Sequence, residues 1–168
     1  MEGIATHRPK SKCLDNYSKG GIFEWYIVRL FNRQNFHLQE WRRAKKIENP
    51  QDLVNYGFPD LEWELVFSGT NKYRFAVECK WREKYRDGKI EWADEDQIDR
   101  YINFQSSRNI TVFVVIGVGG QPGSPEKVYV TPLDEIRGSC EVGEEQLREY
   151  RRRPGSRFYY DYRQLWLF

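Results

Sequence analysis

Alternating apolar and polar positions in the middle of the chain predict a β-hairpin. Apolar side chains occupy the odd-numbered positions of residues 61–67 and again of residues 73–81, which is the period of two that half-buried strands have. Residues 68–71 between them are turn formers, so we expect a short antiparallel connection. The odd positions should face the core and the even positions should face away from it.

Two helices and two further strands are predicted on either side of this hairpin. Apolar residues at helical spacing predict helices over residues 18–32 and 94–106. Residues 36–44 have side chains of mixed type and predict an edge strand. Residues 110–118 are nearly all apolar and β-branched, which is typical of a strand covered on both faces, and they are too few to span a bilayer. Strand 73–81, helix 94–106 and strand 110–118 should form a strand–helix–strand crossover.

The remaining residues predict a leader and a C-terminal extension around one domain. Residues 1–17 include a polar stretch without the apolar segment of a signal peptide, and we expect them to be disordered. Residues 127–130 predict another strand, and Pro132 stands at the first position of a following helix. A chain of 168 residues suffices for one domain with a sizeable core. We therefore assign residues 18–168 to a single domain.

The even face of the hairpin carries an excess of acids: Asp60, Glu62, Glu64 and Glu78, with Lys80 among them. The turn allows three registers, and each sets Glu78 opposite one of the other acids. Facing carboxylates cost about 0.2–1 kcal/mol, and a divalent cation would remove that cost. The face therefore predicts a metal site. The alternative is the ordinary solvated face of an antiparallel hairpin.

Glu24, within the first predicted helix, is a further candidate for this site. Its neighbours at helical spacing are Ile27, Val28 and Phe31, so Glu24 lies on the apolar stripe of the helix. A buried acid needs a partner. The alternative is an acid at the edge of the stripe whose carboxylate reaches solvent.

Pro59 and Asp60, followed by Glu78, Cys79 and Lys80, resemble the PD-(D/E)xK motif of the restriction-endonuclease-like nuclease superfamily. The predicted order of elements, αβββαβ, is also the common core of that superfamily, so the resemblance covers about residues 18–118. It implies an α/β fold with a mixed β-sheet flanked by helices, to which this chain adds a C-terminal extension.

The resemblance also implies roles for the acids. Asp60, Glu78 and the backbone carbonyl of Cys79 would hold Mg²⁺, or Mn²⁺ in its place, through oxygen ligands. Lys80 would orient or deprotonate the attacking water and stabilise charge on the phosphate. The Cys79 side chain, on the odd face, should be structural. Glu24 would hold a second metal or a metal-bound water.

Gln97 and Tyr101, one turn apart on the second helix, resemble the QxxxY motif of the RecB-like and Cas4-like branches of the superfamily. The resemblance implies that both position substrate or water. Alternatively, Gln97 forms a capping box with Asp94, and Tyr101 packs in the core. Glu62 is a reserve metal ligand.

Near the C-terminus, arginines interleave with aromatic residues in a mixture suited to phosphate contact and base stacking. The arginines of this cluster are Arg148, Arg151, Arg152, Arg153 and Arg157. The alternative is a solvated helix end. The net charge is only +2, so the basic residues form patches rather than a wholly basic protein.

The composition excludes several other kinds of chemistry. Three cysteines without paired spacing argue against a disulfide framework or a zinc site and fit a reducing cytoplasm. Two histidines, one in the leader and one on the edge strand, do not support a histidine metal cluster or a Ser-His-Asp triad. The chain has no GxxxxGK[ST] sequence for binding nucleotide phosphates.

The sequence thus predicts a magnesium-dependent nuclease that acts on DNA, with no membrane partner and with a homodimer left open. A competing hypothesis is a nucleic-acid-binding or assembly module that keeps the fold without turnover. An interaction domain with no nucleic acid role would leave the acidic face unexplained. RNA, and single-stranded or branched DNA, stay open as substrates.

Overall fold

The computed structural model describes residues 16–42, 57–67, 69 and 71–168. Most of the predicted leader lies outside these ranges, as do Ala44, Ser68 and Thr70. The helices and strands are α1 (Asn16–Val28), β1 (Phe36–Trp41), β2 (Leu61–Phe67), β3 (Asn71–Arg82), β4 (Lys89–Glu91), α2 (Glu95–Arg108), β5 (Thr111–Val118), β6 (Lys127–Pro132), α3 (Leu133–Ile136), β7 (Glu141–Gly143), α4 (Glu144–Leu147), a 3₁₀ turn (Arg148–Tyr150), β8 (Arg151–Arg152), β9 (Tyr160–Asp161) and β10 (Trp166–Leu167).

Six strands form one mixed sheet in the order β1-β2-β3-β5-β6-β8. Only β3 and β5 are parallel, and α2 connects them, as the strand–helix–strand prediction required. The other neighbours in this sheet are antiparallel. The hairpin of β2 and β3 and the edge position of β1 are confirmed. The sheet with helices on its faces is the predicted α/β architecture.

The hairpin adopts one of the three registers that its sequence allowed. Leu61 lies opposite Val77, and the ladder continues to Phe67 opposite Asn71. Gly69 in the turn has φ +78°, a conformation that glycine adopts without steric cost. When the register is continued by one residue beyond the ladder, Asp60 lies opposite Glu78.

Both faces of the sheet are covered, which corrects the expectation that the even positions face away from the core. On the odd face, Trp63 and Phe75 join the cluster that contains α1 side chains such as Ile27. On the even face, Ala76 packs in a second cluster with Tyr101 from α2. The reason is the crossover itself, because α2 must lie against one face of the sheet it connects.

The C-terminal extension continues the sheet and then returns to α1. β6 pairs with β5, and β8 pairs with β6. After β8, the Phe158 amide donates to the Leu30 carbonyl at 3.0 Å, and the Gly155 amide donates to the Tyr26 hydroxyl at 2.7 Å. Among the described residues, no helix is both long and apolar enough to cross a membrane.

Candidate active site

The acids of the predicted motif meet at one end of the β2–β3 ladder. Asp60 directly precedes β2, and its Oδ2 accepts a hydrogen bond of 2.8 Å from the Cys79 amide in β3. Glu78 and Lys80, on either side of Cys79, share the even face of β3. Asp60, Glu78 and Lys80 line one cleft of about 530 Å³. The structure thus brings together the three residues that the sequence grouped.

Glu24 reaches the same cleft from α1. Its side chain is 5% exposed, and its Oε2 accepts a hydrogen bond of 2.7 Å from the Trp41 indole. The carboxylate is therefore buried, and the alternative of an acid that reaches solvent at the edge of the stripe is wrong. Trp41 was not identified from the sequence, because only the fold brings the edge strand β1 against α1.

Lys80 forms an ion pair with Glu78 at 2.7 Å between Nζ and Oε1. Burial alone would lower the pKa of Lys80, but the carboxylates of Glu78 and Asp60 outweigh it, and the pKa of this lysine is raised. In the metal-free protein Lys80 is therefore a protonated hydrogen-bond donor. Its ammonium group also lies 5.9 Å from the ring centroid of Tyr101.

The surroundings of Asp60 favour the protonated form of its carboxyl group. Burial raises the pKa of Asp60 well above its ordinary value of 3.8, and the carboxylates of Glu78 and Glu24 raise it further. The Lys80 ammonium and the Cys79 amide oppose this rise without cancelling it. A pKa shifted in this direction reports burial first and neighbouring negative charge second.

The donor set fits a hard divalent cation such as Mg²⁺ or Mn²⁺. Glu78 is 3% exposed, and its Oε2 is buried with no hydrogen bond of normal geometry to any described residue. Asp60, Glu78, Glu24 and the Cys79 carbonyl supply the oxygen ligands that such ions prefer. Within the described ranges, no group of three or more His, Cys, Asp or Glu side chains is already gathered as a complete ligand set. Glu78 and Glu24 instead point an oxygen at Lys80 and Trp41.

The Cys79 side chain lies in the core cluster on the α1 side, 8% exposed. Burial raises the pKa of its thiol well above the usual value, followed by the charge of Asp60. The thiol is therefore protonated and packs as an apolar group, while only its peptide faces the acids.

Glu62, the reserve ligand, is committed elsewhere. Its side chain is 1% exposed and accepts hydrogen bonds from Arg42, from Arg74 at 3.3 Å and from Arg108 at 3.1 Å. Glu64 pairs with Lys72 at 3.2 Å. These two acids do not line the cleft, and cationic side chains from α2, β3 and the residue after β1 neutralise them.

The structure places Gln97 in the capping box of α2. The Asp94 side chain accepts a hydrogen bond of 2.7 Å from the Gln97 amide, and the Gln97 side chain accepts one of 3.2 Å from the Asp94 amide. Tyr101 is 2% exposed beside Lys80. Burial raises the pKa of the Tyr101 phenol, followed by the charges of Glu78 and Asp60, so the hydroxyl stays protonated. A substrate-positioning role for either residue stays a prediction.

The C-terminal arginines have different surroundings. Arg152 donates to the carbonyls of Ser156, Arg157 and Phe168, and its guanidinium carbon lies 3.8 Å from the ring centroid of Phe158. These contacts hold the Arg152 guanidinium against its own segment, and a role of Arg152 in nucleic acid binding stays a prediction. Arg148 pairs with Glu145. The exposed members of the cluster are Arg148, Arg151, Arg153 and Arg157.

No protein-family model and no curated protein sequence matches the chain. Among solved structures, the chain is similar to Hjc, a Holliday junction resolvase from the archaeal hyperthermophile Archaeoglobus fulgidus. The similarity has a TM-score of 0.53 at 13% identity and covers 78% of this chain and 88% of that chain. At this identity the likeness concerns the fold alone. The chain has the restriction-endonuclease-like fold that its motif and order of elements predicted.

Proposed function

We propose that the protein is a metal-dependent nuclease that hydrolyses phosphodiester bonds in DNA. The observation that carries the proposal is the cleft in which Asp60, Glu78, Glu24 and Lys80 meet, with a buried Glu78 oxygen that has no hydrogen bond of normal geometry to any described residue. Buried acids that raise one another's pKa are costly to a fold, and such costs concentrate at functional sites.

The residues of the cleft divide the work of hydrolysis. Asp60, Glu78, Glu24 and the Cys79 carbonyl would hold Mg²⁺, which when bound polarises the phosphodiester and makes water more acidic. Lys80, protonated beside Glu78, would donate a hydrogen bond to the attacking water and stabilise charge that develops on the phosphate. Tyr101 would keep the Lys80 ammonium in place through its ring.

DNA is the proposed substrate for two reasons. The neighbour of the same fold is named a Holliday junction resolvase, which makes branched DNA the first substrate to test. In addition, the cleft carries cationic residues beside its acids, including Lys19, Arg82 and Arg86, which suit a phosphate backbone.

A second candidate is a nucleic-acid-binding module without turnover. The observation that favours it is the pairing of Glu78 with Lys80 and of Glu24 with Trp41, which leaves no complete ligand set assembled among the described residues. Such a module would bind nucleic acid equally well with and without Mg²⁺ and would not cleave it.

Cleavage of labelled substrates tests the proposal. The substrates are a four-way DNA junction, a duplex, a single strand and an RNA strand, each incubated with Mg²⁺, with Mn²⁺ or with a chelator. Glu78→Gln and Lys80→Ala should each reduce cleavage by roughly 10²-fold or more. Glu64→Gln is the matched control, because Glu64 lies on the same ladder but pairs with Lys72 outside the cleft.

The outcomes separate the two candidates. Cleavage that persists in chelator contradicts metal dependence, and full activity of Lys80→Ala removes this lysine from the mechanism. Binding of DNA without any cleavage in Mg²⁺ or Mn²⁺ favours the module without turnover.

A further inference from the structure

Residues 82–91, named here the cleft hairpin, run from the last residue of β3 through a tight turn, closed by a bridge between Arg86 and Lys89, to the end of β4. The Arg86 amide donates to the Lys89 carbonyl at 2.8 Å, and the Lys89 amide donates back to Arg86 at 2.9 Å. Between them, Asp87 and Gly88 have φ values of +50° and +76°, as a two-residue type I′ turn requires. The tip of the cleft hairpin therefore has one defined conformation.

Contacts with the C-terminal extension hold the cleft hairpin in place. The Tyr85 hydroxyl is hydrogen-bonded to the Tyr129 hydroxyl at 3.0 Å, and the Lys127 ammonium lies 5.4 Å from the centroid of the Tyr85 ring. The Gly88 carbonyl accepts a hydrogen bond of 3.3 Å from the Glu144 amide. The backbone of the hairpin is therefore ordered before a ligand binds, which lowers the entropic cost of binding.

The cleft hairpin brings cationic side chains to the acidic cleft. Arg82 and Arg86 line the cleft with Asp60 and Glu78, and Lys84 is exposed on the same hairpin. Arg82 donates to two carbonyls, those of Glu91 at 2.7 Å and Trp81 at 3.0 Å, which fix the guanidinium without neutralising it.

The charges of Lys84 and Arg86 are available to a ligand. In the described part of the chain, neither forms an ion pair, whereas Lys89 at the base of the turn pairs with Glu141 at 3.9 Å. The hairpin also carries Glu83, which lines the cleft. A ligand that matches these charges presents anionic groups to the arginines and lysines of the hairpin, while a divalent cation binds the acids of the cleft. A nucleic acid backbone with its metal has this chemistry.

We infer that the cleft hairpin is the element that grips the DNA backbone beside the scissile phosphate, with Lys84 and Arg86 contacting phosphates and Arg82 held ready next to them. Lys19, from α1, lines the same cleft and contacts the strand from the other side. The ligand named here rests on the proposed function, but its binding can be measured without cleavage. On this inference the C-terminal arginines contribute less to binding, because they do not line the cleft.

Binding of labelled duplex and four-way-junction DNA in chelator tests this inference. Lys84→Ala/Arg86→Ala should weaken binding roughly 10- to 100-fold at about 0.1 M salt and should flatten the salt slope on the duplex by about two units, since each duplex phosphate contact contributes roughly 0.9. Arg151→Ala/Arg153→Ala is the competing variant, because it removes the same charge from exposed positions of the C-terminal arginine cluster. The inference requires a smaller loss of affinity in this variant than in Lys84→Ala/Arg86→Ala.

Tyr85→Phe tests whether the hairpin is held in place for binding. This variant keeps every charge but loses the hydrogen bond to Tyr129, so it should weaken binding by about two- to fivefold with an unchanged salt slope. Lys84 and Arg86 are exposed, and their removal should leave the melting temperature unchanged. If the alanine variant nevertheless unfolds, Lys84→Gln/Arg86→Gln takes its place in the same measurement.

Wild-type affinity and slope in Lys84→Ala/Arg86→Ala would overturn the inference, and so would a larger loss in Arg151→Ala/Arg153→Ala or an absence of DNA binding by the unaltered protein. The proposed nuclease fails separately. It fails if DNA is bound through the cleft hairpin but is not cleaved in Mg²⁺ or Mn²⁺. Conversely, metal-dependent cleavage with unaltered binding by Lys84→Ala/Arg86→Ala keeps the nuclease and removes the hairpin.

Discussion

Glu62 and Glu78 lie on the same face of the same strand pair, and both are almost fully buried, at 1% and 3% exposure. They differ in counter-charge. Both oxygens of Glu62 are taken by arginines, Oε1 by Arg42 and Arg108 and Oε2 by Arg74. Glu78 has one lysine on Oε1, and its Oε2 has no hydrogen-bond partner of normal geometry within the described residues.

The comparison shows that burial of an acid does not by itself mark a functional site. At the Glu62 end, three guanidinium groups compensate the desolvation of one carboxylate, which is a structural solution. At the Glu78 end, burial raises the pKa of Asp60, and the nearby carboxylates of Glu78 and Glu24 raise it further. This mutual repulsion among buried acids is what distinguishes a place suited to a cation.

The largest effect on stability is expected at Glu62, whose carboxylate pairs with three arginines. Glu62→Ala leaves Arg42 without its buried partner, so the free energy of unfolding should fall by about 3 kcal/mol. The estimate is at the low end for a broken buried pair because Arg74 and Arg108 are partly exposed and regain water. Urea unfolding measures the change. Glu78→Ala, compared under the same metal-free conditions, should cost less, because Asp60 remains a favourable charge for Lys80 while Asp60 and Glu24 lose a repulsive neighbour. An equal loss in both variants would contradict this difference between Glu62 and Glu78.

Metal should stabilise the protein by binding in the cleft at Glu78 and not at Glu62. With free Mg²⁺ or Mn²⁺ at about ten times its Kd, linkage adds about 1.4 kcal/mol to the free energy of unfolding. For a domain of this size, the corresponding rise in Tm is about 3–6 °C. Thermal melts with and without metal measure it. Glu78→Gln should abolish the rise while Glu64→Gln keeps it, and a rise that survives in Glu78→Gln would place the cation elsewhere.

The pH dependence of stability sharpens the comparison further. Because the pKa of Asp60 is raised in the folded state, the folded protein keeps this proton to a higher pH than the unfolded chain does. The contribution of Asp60 to stability is therefore full below about pH 4 and is lost as the pH rises towards the folded pKa. In chelator, Asp60→Asn should gain stability relative to the unaltered protein as the pH increases from 4 to about 8. Parallel urea unfolding curves at both pH values test this, and a constant difference between the two proteins would refute it.

The smallest expected effect concerns Gln97. If its side chain serves only the capping box, Gln97→Ala should lower the free energy of unfolding by about 0.5–1 kcal/mol and leave the rate of cleavage unchanged. Asp94→Ala is the control, because it removes the other half of the box. A tenfold loss of cleavage in Gln97→Ala alone would show that the active site includes Gln97 of α2.

Local periodicity was sufficient to predict the hairpin, α2 and β5, because the spacing of apolar residues in such strands and helices indicates which residues share a buried face. The even face was misjudged for the same reason. Alternation tells which residues share a face, but not that α2 will cover it. The hairpin register followed only from the structure, since three registers preserve the parity of every side chain.

The arginines that pair with Glu62 could not be predicted from the sequence around it. Arg42 and Arg108 are 20 and 46 positions from Glu62 in the chain, so no pattern around Glu62 announces them. Arg152 shows the same limit, since an arginine among tyrosines has the composition of a phosphate-binding segment whether it faces solvent or its own backbone carbonyls.

The hydrogen bond between the Trp41 indole and Glu24 makes this tryptophan an intrinsic optical reporter of the cleft. The emission energy of an indole depends on the charge that lies along its ring dipole, and here that charge is a buried carboxylate at 2.7 Å. A cation bound at Glu24 would change this local field. The difference between the emission spectra of the unaltered protein and Trp41→Phe therefore isolates the emission of Trp41. Its wavelength should change when a cation occupies the site.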